Sequence, residues 1–227
     1  MAIRVSLALS LVCGVIAQAN ADEFHAIEAV TVSTEASDLW TGQNLIQGPG
    51  VGFAAEEPHD KLVGGPGGNW VTADDAGFPS DYIEQVGKPV IALDLGADVA
   101  LGEISVWGYS NSNANGVSEY SLKFATDADG PSGFGNSIAY NPTFTLNNDN
   151  ENARQEAMFG EVVTARYVEF TTEDNFFVAP GDGSAGGVAG GDRVGLGEIA
   201  FSVVPEPSSI LLLLTAFVGM LGLRRQK

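Results

Sequence analysis

The chain has 227 residues, with 29 acidic side chains, ten basic ones, two histidines and one cysteine, for a formal charge of −19. So negative a chain repels nucleic acid and anionic lipid, which removes both from the partner classes to consider. With only Cys13, a disulfide framework and a thiolate metal site are both excluded.

The first 21 residues have the three zones of a secretory signal. Arg4 supplies the positive start, Val5 to Ala17 the apolar stretch, and Ala19-Asn20-Ala21 a small-x-small cleavage site that sets the mature start near Asp22. An apolar stretch of ~13 residues falls short of the ~20 needed to span a bilayer, so the segment reads as a signal cut by signal peptidase rather than an anchor. Cys13 is part of that stretch: Val12 stands where a lipoprotein acylation site needs a small residue.

Residues 22–203 have the length of one domain and carry 28 acidic and six basic residues, a formal charge of −22. Val90 to Leu95 is almost continuously apolar and predicts a central strand or one buried on both faces. Ile104 and Val106 alternate with Glu103 and Ser105; Tyr120, Leu122 and Phe124 with Ser121 and Lys123; Val168 and Phe170 flank Glu169; Ile199, Phe201 and Val203 alternate with Ala200 and Ser202. This period of two predicts half-buried strands. Turn clusters separate them at Gly64–Gly68, Asn111–Gly116, Asp127–Gly135, Asn147–Asn152 and Gly181–Gly191. Short strands between Gly, Asn and Asp loops predict an all-β fold, an antiparallel jelly-roll sandwich. Only Glu35 to Leu45 offers room for a turn or two of helix.

The C-terminal segment, residues 204–227, runs Val204-Pro205-Glu206-Pro207-Ser208, then the apolar stretch Ile210 to Leu223, then Arg224-Arg225-Gln226-Lys227. A helix from Ser208 to Leu223 spans ~24 Å at ~1.5 Å per residue, which the arginines complete by snorkelling, with the basic end on the cytoplasmic side. The order of Pro-Glu-Pro, apolar helix and basic end resembles the PEP-CTERM sorting signal of exopolysaccharide-producing bacteria. The resemblance implies processing by an exosortase near the motif, with transient inner-membrane anchoring and a destination in the cell envelope or outside the cell.

A catalytic constellation does not stand out. Neither His25 nor His59 has the setting of a nucleophile's base, and three nitrogen or sulfur ligands for zinc cannot be assembled. With 28 carboxylates in the domain, a pair at glycosidase spacing has no diagnostic value. The run Gly181 to Gly191 lacks the lysine and helix of a phosphate cradle and reads as a mobile loop. Sugar sites combine an aromatic face with a few polar groups on loops at one end of a scaffold. Trp40, Trp70, Phe78, Tyr82, Tyr109, Phe176 and Phe177 fall in or beside loops, and Asn111, Asn113, Asn115 and Asn175 bring both donors and acceptors. The ligand-binding candidates are Trp70, Tyr109, Asn111, Asn175 and Phe176.

Six short words occur in order: Asn44-Leu45-Ile46-Gln47-Gly48, Trp70 after a glycine-rich loop, Ile91-Ala92-Leu93-Asp94-Leu95-Gly96, Ile104-Ser105-Val106-Trp107, Ala165-Arg166-Tyr167-Val168, and Val194-Gly195-Leu196-Gly197-Glu198-Ile199. Together they resemble the discoidin-like, galactose-binding-like jelly roll of coagulation-factor C domains and many carbohydrate-binding modules. The resemblance implies a structural calcium between the loop after the first strand and the last core strand. Its positions fall on Asn44 and Gly197, through their carbonyls, on Gln47, where the family usually has aspartate, and on the Glu198 carboxylate. The reading is an exported, non-enzymatic protein binding extracellular polysaccharide or a surface glycan. Its rivals are an acidic structural protein assembling laterally or through cations, and a polysaccharide lyase or hydrolase.

Overall fold

A computed structural model describes residues 24–37, 39–47, 68–109, 114–148 and 153–204. The signal segment, the sorting tail beyond Val204, Asn111 and His59 lie outside the described residues. Among those described are nine strands: β1 (Phe24–His25), β2 (Ala29–Val32), β3 (Trp70–Val71), β4 (Val90–Trp107), β5 (Val117–Ala125), β6 (Thr143–Thr145), β7 (Arg154–Asn175), β8 (Gly195–Leu196) and β9 (Glu198–Val203). Helix is confined to a 3₁₀ turn at Gly42–Ile46 and a single α-turn, α1, at Tyr82–Gln85. The fold is all-β and antiparallel, as the period-two pattern predicts.

Two long strands organise it. β4 and β7 pair from Val90–Thr171 to Trp107–Arg154, with register shifts between Asp94 and Val99 and between Leu101 and Glu103. At these irregularities both strands turn, as strands do when they pass from one layer of a sandwich to the other. The first half of β4 and the second half of β7 join β2, β5 and β6; the remaining halves join β9 and β1. Ile91, Leu93, Phe124 and Phe170 from one layer and Ile104, Val106, Ile199 and Phe201 from the other share a single core. Val90–Leu95 is central, between β2 and β7, but its burial alternates: Ile91, Leu93 and Leu95 are buried, while Ala92 and Asp94 face outward half-buried. Small and polar residues on the outer face thus replace the second buried face that the apolar run suggested.

The turn has its own polar lock. Arg166 donates to both oxygens of Asp94, at 2.8 and 3.0 Å, and to Asp127 at 2.7 Å. The backbone N–H of Gly96 donates to Asp94 at 2.8 Å. Gly96 sits at φ +81°, which glycine adopts without strain, and a Cβ there would lie 2.4 Å from the Glu28 carboxyl carbon and push that side chain away. The Arg166 guanidinium, with help from the Gly96 N–H, holds the Asp94 carboxyl below its usual value.

The outer face of the second layer is also buried. Arg154 donates to Glu103 at 2.6 Å and to Ser105 at 2.7 Å, with both charged side chains under 10% exposed. The guanidinium lies 4.8 Å from the Phe24 ring centre. A desolvated pair of this kind is costly to break because the remaining charge stays buried.

Arg154→Met should therefore destabilise the domain by about 3–5 kcal/mol in denaturant unfolding, while Arg154→Met combined with Glu103→Leu recovers most of the loss. For the turn, Asp94→Asn should unfold more readily than wild type at neutral pH. A carboxyl whose value is depressed on folding stabilises above its unfolded value of about 3.9 and loses that contribution as pH falls through the folded value. The gap between the two proteins should close below about pH 4, read from unfolding midpoints across pH.

Candidate functional site

The layers set up two ends. At one, the chain turns between layers near Asp94–Leu101 and leaves the sandwich after Val203, which pairs with Leu101. At the other, three connections meet: residues 72–81 between β3 and α1, the described residues 108–109 and 114–116 between β4 and β5, and residues 176–194 between β7 and β8. This loop end is the candidate site.

Its loops are tied by backbone and amide groups. The Gly191 carbonyl accepts from the Tyr82 N–H at 2.7 Å and from the Asn175 side chain at 3.1 Å, while the Gly191 N–H donates to the Asn115 side chain. The Asn115 carbonyl accepts from the Gly195 N–H at 2.7 Å, and the Phe177 N–H donates to the Asn175 side chain at 3.0 Å. Gly191 has φ +101°, and a Cβ would come within 2.4 Å of the Phe177 ring. The glycine-rich run is therefore no free loop: its last residues are pinned from three sides, and its glycines supply positive φ and close approach to Phe177. Asn115, a polar candidate from the sequence, holds loops together here instead of facing outward, and Gly191 is the organising residue that sequence reasoning missed. An Asn in a turn cluster facing a long glycine run was its only signal.

The ligand-binding candidates distribute unevenly. Trp70 is fully buried and donates its indole N–H to the Thr34 carbonyl at 2.9 Å. Tyr109 is buried against Gly195, where a Cβ would lie 2.6 Å from its ring. Asn175 is buried with its amide spent on Gly191 and Phe177. These three shape the loop end from beneath and present no face to a ligand, a correction to their reading as contact residues. Phe176 is half-buried on Gly116, and its N–H donates to the Gly116 carbonyl at 3.2 Å.

Phe78 stands out instead. At 59% exposure it is the most open aromatic side chain among the described residues. Its loop is held at both flanks. On one side Thr72 exchanges hydrogen bonds with Val194, and Arg193 pairs with Asp74 at 2.9 Å. On the other, Asp81 caps α1 by accepting from the Ile83 and Glu84 N–H groups. Between them Gly77, at φ +74°, turns the chain, and Ser80 donates to the Gly77 carbonyl. Pro79 packs against Gly181 of the neighbouring loop. The same loop walls a cleft of about 300 Å³ through Asp75, opposite Ser33, Thr34 and Lys88. Nearby on the 176–194 loop, hydrogen bonds from Ser184 hold the Asp182 carboxyl below its usual value.

The metal candidates lie on elements that touch: the 3₁₀ turn carrying Asn44 packs against β2, β3 and β9, and Glu198 opens β9. Glu198 is 2% exposed. Asn44 donates to the Leu39 and Asn69 carbonyls at 2.8 and 2.7 Å, and its oxygen accepts from Gln47 at 2.6 Å. Gln47 is exposed, and the Gly197 N–H donates to the Trp107 carbonyl at 3.0 Å. Among the described residues, no three His, Cys, Asp or Glu side chains converge on one point. A cation here would rest on one buried carboxylate and neutral oxygens, a donor set that suits calcium and not zinc.

No curated protein matches the chain. Among solved structures, it is similar to the family 32 carbohydrate-binding module of NanJ from C. perfringens in complex with galactose, at 9% identity and TM-score 0.48, over 80% of this chain and 98% of that one. It is similar to CBM32-3 from a family 31 glycoside hydrolase of Clostridium perfringens, at 16% identity and TM-score 0.48, over 80% and 92% of the two chains. It is also similar to the lectin domain of lectinolysin complexed with Lewis B antigen, at 13% identity and TM-score 0.46, over 78% and 93%. No helix among the described residues is long and apolar enough to cross a membrane. Residues 203–226 match the PEP-CTERM protein-sorting motif, which marks the chain as an exported protein sorted by way of the membrane.

Proposed function

We propose that the protein is a non-catalytic glycan-binding protein of the cell envelope or extracellular matrix, with its binding surface at the loop end around Phe78. The observation that carries this reading is an aromatic ring held outward at 59% exposure by a loop fixed at both flanks. The apolar C–H face of a sugar stacks on such a ring while its hydroxyls take hydrogen bonds from neighbouring polar groups. Here those groups are Asp74, Asp75, Asp182 and Arg193 on the same loops. The sorting motif supports a polymer outside the cytoplasm as the target. The charge of −22 on residues 22–203 favours neutral or amino-sugar polymers over acidic ones.

Retention of the mature chain on neutral, amino-sugar and acidic polysaccharides, with and without calcium, tests the reading. Phe78→Ala should weaken binding to the retained polymer at least tenfold, about 1.4 kcal/mol, while its exposed position keeps the stability change within about 0.5 kcal/mol. If no polymer is retained in either condition the reading falls, and concentration-dependent light scattering would then support lateral assembly.

A structural calcium belongs to the same proposal, held by the Glu198 carboxylate with the Asn44 and Gly197 carbonyls and Gln47. Buried Glu198 supports it, since a desolvated carboxylate is favoured by a nearby cation. With neutral Gln47 in the site, the expected affinity is near the ~10⁻⁴ to 10⁻³ M of extracellular modules. At a hundredfold excess over the dissociation constant, calcium should add about 2.7 kcal/mol, or about 5–10 °C in melting midpoint. Glu198→Gln should abolish the increment; an equal rise in wild type and variant assigns the effect to the acidic surface at large.

A further inference from the structure

The end of the sandwich opposite the loops carries a surface that the glycan reading does not use. Val203 pairs with Leu101, and the Val204 N–H still donates to the Ala100 carbonyl at 2.8 Å, so the sheet holds the chain as far as residue 204. Only five residues, Pro205 to Ser209, then separate it from the apolar run Ile210 to Leu223. At no more than ~3.6 Å per residue, Val204 stays within about 22 Å of Ile210. The interfacial zone of a bilayer occupies roughly 5–8 Å of that on each side. A domain of this length has a radius of gyration of about 16 Å. With the run inserted, the sandwich is wider than its tether is long, and this end is the one facing the lipid.

Three large apolar side chains are exposed there. Met158, Val162 and Val204 are 69%, 57% and 37% exposed. The strand that carries Met158 and Val162 and the strand that ends at Val203 flank the same stretch of β4: Leu101 lies between Val203 and Val163, and Glu103 between Ser202 and Met158. The register shift sets residues 159–162 of β7 against Gly102 alone, so this stretch bulges. A Cβ at Gly102 would lie 2.8 Å from a Val204 methyl, so the missing side chain leaves Val204 room to fold over the strand. Exposed Asp98 and Glu161 stand at the same end. Their charge opposes an anionic surface and leaves a neutral, zwitterionic one as the partner of matching chemistry.

We propose that the patch of Met158, Val162 and Val204 is the face on which the sandwich rests against a zwitterionic lipid surface while the tail anchors it. The loop end, at the far end of the second layer, then points away from the membrane. The proposal rests on Ile210–Leu223 acting as an anchor and is independent of glycan binding.

The test uses the full chain in phosphatidylcholine vesicles, with Cys13→Ser and a fluorophore on Met158→Cys, Val162→Cys or, at the loop end, Val188→Cys. All three positions are exposed, so labelling leaves the core intact, which thermal unfolding of each variant confirms. A quencher attached to the lipid headgroup should quench the labels at 158 and 162 at least threefold more than the label at 188, and the difference should shrink in vesicles containing phosphatidylglycerol. Equal quenching at the three positions overturns the proposal, and stronger quenching at 158 and 162 in anionic vesicles overturns the assignment to a zwitterionic surface. Failure of the chain to float with vesicles overturns the anchor beneath it, and leaves polysaccharide retention to be judged on its own.

Discussion

β4 and β7 stay paired through a change of layer, and most of what the molecule presents depends on that continuity. Because one pair of strands contributes to both layers, the corner near Asp94–Leu101 fixes where the layers meet and which residues face the shared core. A slip of one residue in either strand would reverse its faces, carrying Leu93 or Phe170 to the surface. The Arg166 bridge to Asp94 and Asp127 sits at this corner and joins β4, β7 and the loop after β5 through one side chain. Arginine suits the place because its planar fork meets one carboxylate bidentately and keeps a further donor for the second.

This explains which parts of the sequence were legible. The word Asp94-Leu95-Gly96 and the word Arg166-Tyr167-Val168 describe one corner from its two strands: an acid, a glycine at φ +81° whose N–H donates to that acid, and the arginine that grips the acid from the neighbouring strand. Alternation over β5, β7 and β9 fixed the inward faces of Tyr120, Phe124, Phe170 and Phe201, because a strand with one buried face must repeat every second residue. Alternation said less about the outer face of the second layer. Ala200 and Ser202 are buried there too, beside Phe24, Trp107 and the Arg154–Glu103 pair. A buried salt bridge has no periodic signature.

The loop end was less legible for a related reason. Loop aromatics were candidates by position alone, and position does not say which way a side chain turns. Trp70 turns inward because β3 pairs with β8 and its indole finds the Thr34 carbonyl. Tyr109 turns inward because Gly195 leaves room for its ring. Phe78 turns outward between flanks that are anchored by Arg193–Asp74 and the Asp81 cap. Each outcome depends on a partner more than ten residues away or on the geometry of the turn, and neither is carried by a local word.

The second layer joins the two ends of the domain. From Leu101 to Trp107, β4 rises about 20 Å at ~3.3 Å per residue, from the point where the chain exits toward its sorting tail to the connection carrying Tyr109 and Asn115. β9 runs beside it from Glu198 to Val203, buried on both faces over its first five residues. A strand fixed this way transmits orientation rather than motion: whatever surface holds Val204 also sets the direction of Gly195, Asn115 and the loops pinned to them. The glycines of the 176–194 loop do not undo this, since Gly191 is held by Tyr82, Asn175 and Asn115 together. A binding loop with internal freedom would lose more entropy on meeting a rigid polymer, so pinning its base keeps more of each contact as affinity. The same rigidity gives the tail its consequence: with the last hydrogen bond of the sheet at Val204, one residue before Pro205, the direction in which the chain leaves the domain is set by β9 itself.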